Sequence, residues 1–381
     1  MVDRLVKDLE PFGAESVPTH YGSVDGLSSS TFFMEPRLLL GDLYLLQNRY
    51  SEAARMYYDY IRNHQLKINE VYGNIWENNQ ANEIGDEGAI KAYTEEALVA
   101  IPYSSDPKKD RPDLLNYTYS ETPVVKAASW WIDDLKNAAH FYAAGYGTTS
   151  ITGYLTGDTR GEWFLSDGTT VAVAAGNHAL TGGVGSVDNL VTKFALSASE
   201  SETTNPGNPM VSGLMLREVV TYRIPHVYLR YAEAVNRMGK PTLAFAVLKY
   251  GLSPETVADE TKVDPAELED ELPYTSFTNT IFDNNRGTAS RGRGVGVGFP
   301  RSTYVIPEFA TEQERTEWIE DEIVREMAAE TMFEGNRFFD LMRVSRHRGG
   351  TEYFAEKVSR RFSNPDAAKA MLQNSDNWWV K

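Results

Sequence analysis

The chain has 381 residues, no cysteine and a formal net charge of −17 at pH 7. Its length allows one large domain or two smaller ones, each with a substantial core. The lack of cysteine excludes disulfides, zinc–thiolate sites and cysteine nucleophiles. The negative charge argues against nucleic acid or an anionic bilayer as a direct partner. Seven tryptophans and 21 tyrosines suit either a ligand-binding surface or a large core.

Apolar residues at helical spacing predict a short N-terminal helix and, at about residues 36–63, a helical hairpin. The first 13 residues lack the apolar run and the cleavage site of a secretory signal, so we read Val2, Leu5 and Leu9 as a helix face. In the hairpin, Gly41 and Tyr57 stand at the spacing of tetratricopeptide hairpins, where a small residue lets two helices approach and an aromatic ring fills the gap.

A second hairpin is predicted at about residues 224–252. Pro225 suits a first helical turn, Gly239 ends the first helix, and Pro241 begins the next helix, which Gly251 ends. The two hairpins lie too far apart to form a tandem array. We therefore expect a mostly α-helical single domain over residues 1–381, with tetratricopeptide-like helical hairpins, long irregular loops and a few short strands.

Two loop-rich insertions, at about residues 65–122 and 145–210, separate the hairpins. Residues 97–103, ALVAIPY, predict a strand within the first insertion. Short β-like pieces such as residues 170–175 are expected in the second. Between the insertions, residues 127–144 predict a helix that buries Trp130, Trp131, Leu135 and Ala138.

The candidate ligand-binding residues are aromatic, amide and charged side chains on these predicted loops. Sugars present hydroxyls at their edges and C–H groups on their faces, so their sites combine flat rings with a polar rim. Peptides use similar rings together with backbone-directed hydrogen bonds. The alternative for each residue is simple packing of a loop on the scaffold. The candidates are Tyr72, Trp76, Asn78, Asn79, Asp106, Lys108, Arg111, Tyr117, Tyr119 and Trp163.

Motifs for cofactor or metal chemistry are missing from the sequence. None of the six histidines stands in a HExxH or similar ligand spacing, and the glycines of residues 291–298, RGRGVGVG, match neither GxGxxG nor a phosphate-binding loop. A GxSxG nucleophile elbow is also absent. We expect no cofactor; calcium remains compatible with the oxygen-rich residues 78–86, although no EF-hand pattern is present.

The stretch around which the rest of the chain is organised is residues 323–343, IVREMAAETMFEGNRFFDLMR. Glu326, Glu330 and Glu334 place one carboxylate per turn along a helix, so positive charge must lie among them. We expect Arg337 and Arg343, beyond a break at Gly335, to bridge these carboxylates from a second, aromatic-rich helix. Paired carboxylates are also the groups of general acid–base catalysis, but a structural ion network is favoured.

These residues resemble the C-terminal motif of the SusD/RagB family, E-R-x-x-E-x-x-F-E-G-x-R-x-x-D-L-x-R. One position departs, because Met327 stands where the pattern has its first arginine. Two further elements are similar to the family: Y-A-E-A at residues 231–234, and G-D-x-R at residues 157–160. The matching residues of the C-terminal motif are Glu326, Glu330, Phe333, Glu334, Gly335, Arg337, Asp340, Leu341 and Arg343.

The resemblance implies an outer-membrane, surface-exposed lipoprotein that covers a SusC-like TonB-dependent transporter in Bacteroidetes-type bacteria. It further implies an oligosaccharide ligand or, for some relatives, a peptide, and no catalysis. Family members begin with a lipoprotein signal and an anchoring cysteine, so we expect Met1 to be an artificial or truncated start, with membrane attachment through a lipid anchor that this chain lacks.

Two alternatives stay open at this point. A glycoside hydrolase would need two carboxylates at a characteristic separation in an aromatic cleft, and it would generate new reducing ends. A tetratricopeptide scaffold for peptides would bind through the concave face of its hairpins, so mutating Trp76 and Trp163 would leave its ligand affinity unchanged.

Overall fold

Helices form most of the regular structure, which confirms the predicted mostly α-helical class. The computed structural model describes residues 1–13, 21–68, 96–103, 117–118, 123–137, 141–143, 154–156, 158, 160–164, 170–172, 175–179, 186–191, 218–268, 272–293 and 304–379. In chain order, the helices of these ranges are α1 (Val2–Leu9), α2 (Pro36–Leu46), α3 (Tyr50–His64), α4 (Ser129–Lys136), α5 (Ile224–Arg237), α6 (Pro241–Lys249), α7 (Pro254–Ala258), α8 (Ser290–Arg293), α9 (Glu312–Glu330), α10 (Arg337–His347), α11 (Glu352–Ser359) and α12 (Pro365–Leu372).

The first hairpin, α2 and α3, packs as its sequence predicts. A Cβ atom at Gly41 would lie 2.7 Å from the ring of Tyr57, so only glycine allows the two helices this close an approach. The Tyr57 hydroxyl donates to Asp42 at 2.7 Å, and the ring itself is fully buried. The small residue and the large ring therefore fix the distance between the helices.

The second hairpin, α5 and α6, packs against α3 and forms the centre of the main core. Val227, Tyr231 and Leu248 are fully buried there. Gly239, with φ +77°, follows α5, and Gly251, with φ +78°, follows α6, so each helix ends at a left-handed glycine as predicted. The chain at Gly251 runs so close to the backbone of Asn285 that a side chain has no room.

The C-terminal helices build a second, smaller core. The break between α9 and α10 lies at the predicted position, and Gly335 adopts φ +85° there. Phe354 of α11 stacks on Trp378 with ring centroids 4.1 Å apart, and Phe338 of α10 meets Phe354 edge-on at 5.4 Å. Helix α9 joins the two cores, because its Ile323 and Met327 belong to the main core and its Val324 to the smaller one.

Short antiparallel pairs make up the β-structure of the described ranges. The strands are β1 (Ser23–Val24), β2 (Leu27–Ser28), β3 (Ala97–Pro102), β4 (Phe141–Ala143), β5 (Tyr154–Thr156), β6 (Glu162–Phe164), β7 (Thr170–Ala172), β8 (Ala175–Ala179), β9 (Ser186–Val191) and β10 (Glu218–Arg223). The pairs are β1–β2, β3–β10, β4–β5, β6–β7 and β8–β9. In the β3–β10 pair, Pro102 lies opposite Glu218 and Ala97 opposite Arg223.

The helix expected over residues 127–144 is shorter than predicted; it buries Leu135 as predicted, and Ala138 lies outside the described residues. It spans Ser129–Lys136, and Phe141–Ala143 forms a strand instead. Ile132 and Leu135 are its buried residues, whereas Trp130 and Trp131 are half-buried. Adjacent residues point about 100° apart on a helix, so a helix of two turns cannot bury both tryptophans together with Ile132 and Leu135.

Candidate ligand-binding cleft

A buried network of arginines and carboxylates holds the C-terminal helices in place. At its centre, the guanidinium of Arg160 donates to Asp158 (2.7 Å), Glu326 (2.7 Å) and Glu330 (3.1 Å). All four side chains are fully buried. Burial alone would lower the pKa of Arg160, but Asp158 and Glu326 raise it well above its ordinary value. The G-D-x-R element is thus bonded directly to the helix that carries the Glu-rich motif.

A second arginine, Arg223, completes the network from the end of β10. It donates to Glu96 (2.8 Å), Glu330 (3.2 Å) and Glu334 (2.7 Å). Strand β10 leads directly into α5, so the position of Arg223 is fixed by both elements. Glu330 therefore lies between Arg160 and Arg223, as the repulsion within the row of carboxylates requires.

The partners expected for the Glu-rich row, Arg337 and Arg343, are not the observed ones. Arg337 instead donates to the carbonyl oxygen of Val324 at 2.8 Å. Arg343 binds Glu233 at 2.7 Å and Asp340 at 2.9 Å. Burial raises the pKa of Glu233, but Arg343 more than offsets this, so the pKa lies well below its ordinary value. The row is neutralised by arginines far away in sequence.

The carboxylates of the row have no access to a substrate. The side chains of Glu326, Glu330 and Glu334 are completely buried, and each is bound by at least one guanidinium. A general acid must present its proton to a reacting atom, which these groups cannot do. The structural reading of this cluster is therefore the one that the geometry supports.

A cleft of about 720 Å³ lies beside this network, where α4 faces the turn between α9 and α10. This volume is in the range of small-ligand sites. We define the cleft by its lining residues: Val125, Lys126, Ala128, Ser129, Trp130, Trp131, Ala328, Thr331, Met332, Phe333, Gly335, Arg337, Phe338, Arg360 and Arg361.

Hydrogen bonds from neighbouring segments fix one wall of the cleft, which α4 forms. The N–H of Ala127 donates to the carbonyl of Asn189 in β9 (2.9 Å), and the Asn189 amide donates to the Ser129 hydroxyl (2.8 Å). At the other end of α4, the N–H of Asp158 donates to the carbonyl of Leu135 (2.7 Å). The residue that anchors Arg160 thus also holds α4.

The tryptophans of α4 give this wall its aromatic character. Trp130 and Trp131 meet edge-on with ring centroids 6.0 Å apart. The guanidinium carbon of Arg360 lies 4.1 Å from the centroid of the Trp130 ring, a cation–π distance. The indole N–H of Trp130 is buried without a hydrogen-bond partner among the described residues. Trp131 is half-buried and leaves part of its ring to the cleft.

The opposite wall is the turn that joins α9 to α10. Phe333 adopts φ +65°, a left-handed conformation that costs a bulky residue about 1–2 kcal/mol. Packing offsets this cost, because the ring lies against Ala100, Val191 and Val220 of the neighbouring strands. Phe338 continues the wall and contacts Trp379 at 5.3 Å between ring centroids.

Two of the ten residues predicted to bind ligand lie in the described ranges, and the role of all ten in binding stays a prediction. Tyr117 is half exposed, and its carbonyl accepts the N–H of Val125 (2.9 Å), a residue of the cleft. Trp163 lies in β6 opposite Val171. The other eight predicted residues lie outside the described ranges: Tyr72, Trp76, Asn78, Asn79, Asp106, Lys108, Arg111 and Tyr119.

Sequence reasoning missed Trp130, Trp131 and Arg360 as site residues. The two tryptophans were assigned to the core because they lie in a helix with apolar periodicity. A signal was available: Trp130 and Trp131 are adjacent, so they cannot share one buried stripe of a helix. The contact of Arg360 with Trp130 joins residues 230 positions apart and leaves no mark in the sequence.

The described residues contain neither a metal-binding cluster nor a membrane-spanning helix. Across the ranges with described coordinates, no cluster of three or more His, Asp or Glu side chains is placed to hold a metal ion. Residues 78–86, the calcium candidate, lie outside those ranges. None of the described helices is both long enough and apolar enough to cross a bilayer.

Residues 297–379 match the model of the SusD family. Similar solved structures include a SusD superfamily protein from Bacteroides fragilis NCTC 9343 (14% identity, 89% of this chain, 59% of that chain, TM-score 0.41). A second is B. fragilis NanU (16% identity, 88% of this chain, 59% of that chain, TM-score 0.38). A third is a SusD superfamily protein from Bacteroides thetaiotaomicron VPI-5482 (14% identity, 94% of this chain, 61% of that chain, TM-score 0.41). The chain thus covers 59–61% of the length of these three proteins. No curated protein matches it.

The matched segment contains α9 to α12, and with them the Glu-rich row, the turn at Gly335 and the two arginines Arg360 and Arg361 of the cleft. The resemblance to the SusD family therefore lies in residues 297–379, the C-terminal part of the chain.

Proposed function

We propose that the protein captures a nutrient oligosaccharide at the outer surface of the cell and delivers it, unaltered, to a SusC-like TonB-dependent transporter. The match of residues 297–379 to the SusD family supports a role in nutrient or glycan binding at the surface. The cleft is the observation on which the assignment to this chain depends, because it offers partly exposed rings and N–H donors in a volume of about 720 Å³.

The cleft chemistry suits a sugar. A half-buried indole such as Trp131 provides a flat surface for the C–H face of a sugar ring. Guanidinium and hydroxyl groups at the rim, including Arg361 and Ser129, provide hydrogen-bond donors for sugar hydroxyls. Hydrogen bonds hold the α4 wall and packing of Phe333 holds the opposite wall, so little ordering is required when a ligand binds.

The structure gives no support to a peptide site on the hairpins themselves. Tyr57, which the tetratricopeptide pattern predicts between two helices, and Tyr231 of the second hairpin are both fully buried. An oligopeptide in the cleft would use the same aromatic walls through its side chains. Peptide and glycan are therefore separated by direct binding measurements.

A glycan and peptide array with the purified chain tests the proposal. We expect binding to a set of glycans and no new reducing ends after prolonged incubation with them. Trp131→Ala removes one sugar platform and should weaken glycan binding about tenfold, because an aromatic contact of this kind contributes about 1–1.5 kcal/mol.

Tyr21→Ala is the matched control, since Tyr21 is an exposed ring outside the cleft. It should leave glycan affinity unchanged. Binding of peptides alone would replace the proposed ligand class, and release of reducing ends would contradict the non-catalytic role.

A further inference from the structure

The charges around the cleft all have the same sign. Among the described residues that line it, Lys126, Arg337, Arg360 and Arg361 are cationic and none carries a carboxylate. The chain as a whole has 54 acidic and 37 basic residues, so an average lining would favour the acidic type. The cleft is a positive site on a strongly negative protein, and such a site concentrates anions.

The arginines of the cleft are not used up by internal ion pairs. Arg360 and Arg361 have neither an ion pair nor a side-chain hydrogen bond with any described residue, which sets them apart from Arg160 and Arg223, whose guanidinium groups are bound by several carboxylates. Arg360 lies over the Trp130 ring. A guanidinium in such a contact keeps its N–H groups, which lie in its plane, free to bind an acceptor.

Arg337 adds a third guanidinium at the floor. One of its terminal nitrogens donates to Val324, and the described residues provide no acceptor for its remaining N–H groups. Burial lowers the pKa of Arg337 from its ordinary value, and the nearby charge of Arg361 acts in the same direction, whereas Tyr353 and Asp340 oppose it. Asp340 itself is bound to Arg343 at 2.9 Å. Arg337 and Arg361 therefore lie near each other, and neither forms an ion pair with a carboxylate of the described residues.

We propose that this cleft recognises an anionic substituent, a carboxylate or a sulfate, on the captured saccharide. Arg360 and Arg361 bind the anion from the rim, and Arg337 lies deeper beside Phe338. Arginine forks match the two oxygens of a carboxylate or a sulfate in a bidentate manner, which a neutral hydroxyl cannot reproduce. This inference rests on the proposed function and specifies its ligand class.

Two ligands that differ only in charge test the inference. The probes are a tetrasaccharide of galacturonic acid and its fully methyl-esterified form, with a sulfated and a neutral galactose tetrasaccharide as a second pair. Isothermal titration calorimetry with the full chain should show binding of the carboxylate or the sulfate probe at least about tenfold tighter than that of its neutral counterpart. The affinity should fall when the ionic strength rises from about 0.05 M to about 0.5 M.

The variant Arg360→Gln/Arg361→Gln should abolish this preference for the charged probe. Both side chains are exposed, so the fold is retained. The matched control Arg4→Gln/Arg55→Gln removes the same charge from exposed arginines of α1 and α3 outside the cleft, and it should keep the preference.

The outcomes separate the inference from the proposed function. Preference for the charged probe that is lost in the cleft variant and kept in the control supports the inference. Equal binding of charged and neutral probes, or an undiminished preference in the cleft variant, overturns the inference while capture of a glycan stands. Binding of no glycan at all contradicts both.

Discussion

Arg160→Met is the substitution that tests most directly how the network stabilises the protein. The methionine side chain fills much of the same volume but has no charge and no donor. It leaves the buried carboxylates of Asp158 and Glu326 without the guanidinium that binds both. Glu330 keeps Arg223 as a partner at 3.2 Å.

The magnitude follows from the bonds that are lost. The guanidinium of Arg160 makes five hydrogen bonds to three carboxylates. At about 1.5–3 kcal/mol for each charged bond, the simple sum exceeds the effect of any single substitution. Removal of one partner from a buried ion pair costs about 3–5 kcal/mol, which is less than the simple sum because protonation and water entry offset part of the loss. This is a large part of a total stability of about 5–15 kcal/mol.

Urea unfolding followed by tryptophan fluorescence measures the effect at pH 7. We expect a loss of about 3–5 kcal/mol for Arg160→Met and a smaller loss of about 1–3 kcal/mol for Arg160→Lys, which keeps the charge but not the fork. Arg4→Met, at an exposed arginine of α1, should stay within about 0.5 kcal/mol of the wild type.

The pH dependence gives a second, independent readout. In Arg160→Met, loss of one buried cation from the network favours the neutral form over the charged form of the carboxylates that it bound. A group with a raised folded pKa contributes its full stability below the unfolded pKa and loses it as pH rises, so the deficit of the variant should shrink on acidification. A change below about 1 kcal/mol at pH 7, or a deficit that grows in acid, would refute the reasoning.

Three further predictions concern single buried positions. Burial lowers the pKa of His226 to about 4, so as the pH falls the unfolded chain takes up a proton before the folded one does. About 3 kcal/mol of stability is therefore lost between pH 6.5 and pH 4. His226→Gln should flatten this pH dependence when stability is measured by urea titration at each pH. Gly251→Ala should lower the free energy of unfolding by about 3 kcal/mol or more, because its Cβ meets the backbone of Asn285 and Arg286. Gly239→Ala, with nearly the same φ but open space around the Cβ, should lower it by about 1 kcal/mol. Thermal unfolding of the two variants compares these losses. In Gly292→Ala the added Cβ would lie 2.5 Å from Nε of Arg160, and this clash should lower stability by about 1–3 kcal/mol. The loss should disappear when Arg160→Met is also present.

Local patterns in the sequence were sufficient to place the helical frame. The approach of α2 and α3 depends on Gly41 and Tyr57, and the break between α9 and α10 depends on Gly335, a residue that tolerates φ +85°. Each of these features is decided by residues close in sequence, within one hairpin or one turn. The periodicity of apolar residues and the positions of glycines are therefore enough to predict these helices and their ends.

The partners of the Glu-rich row were not predictable in the same way. Periodicity shows that Glu326 and Glu330 share a helix face and need a cation, but it cannot choose among 37 basic residues. Proximity in sequence favoured Arg337 and Arg343. The observed partner of Glu326 is Arg160, 166 positions away, brought there by the fold as a whole.

The position of the cleft was even less predictable from the sequence, because tertiary structure alone brings its walls together. Its walls come from α4, from the turn at Phe333 and from Arg360, three places that no motif connects. The predicted binding residues on the loops, such as Trp76 and Arg111, follow from residue type alone, and calorimetry on Trp76→Ala would measure their contribution. The two sets of residues are independent hypotheses about where a ligand lies.

The β3–β10 pair and Arg160 together give the intervening chain a modular character. The pair brings residue 102 next to residue 218, and Arg160 fastens the middle of that excursion to α9. Both ends of each half are clamped, so a flexible insertion within it adds little closure entropy, because doubling the length of a flexible loop costs only about 0.6 kcal/mol. Such an insertion leaves the β3–β10 pair and the bonds of Arg160 to α9 in place.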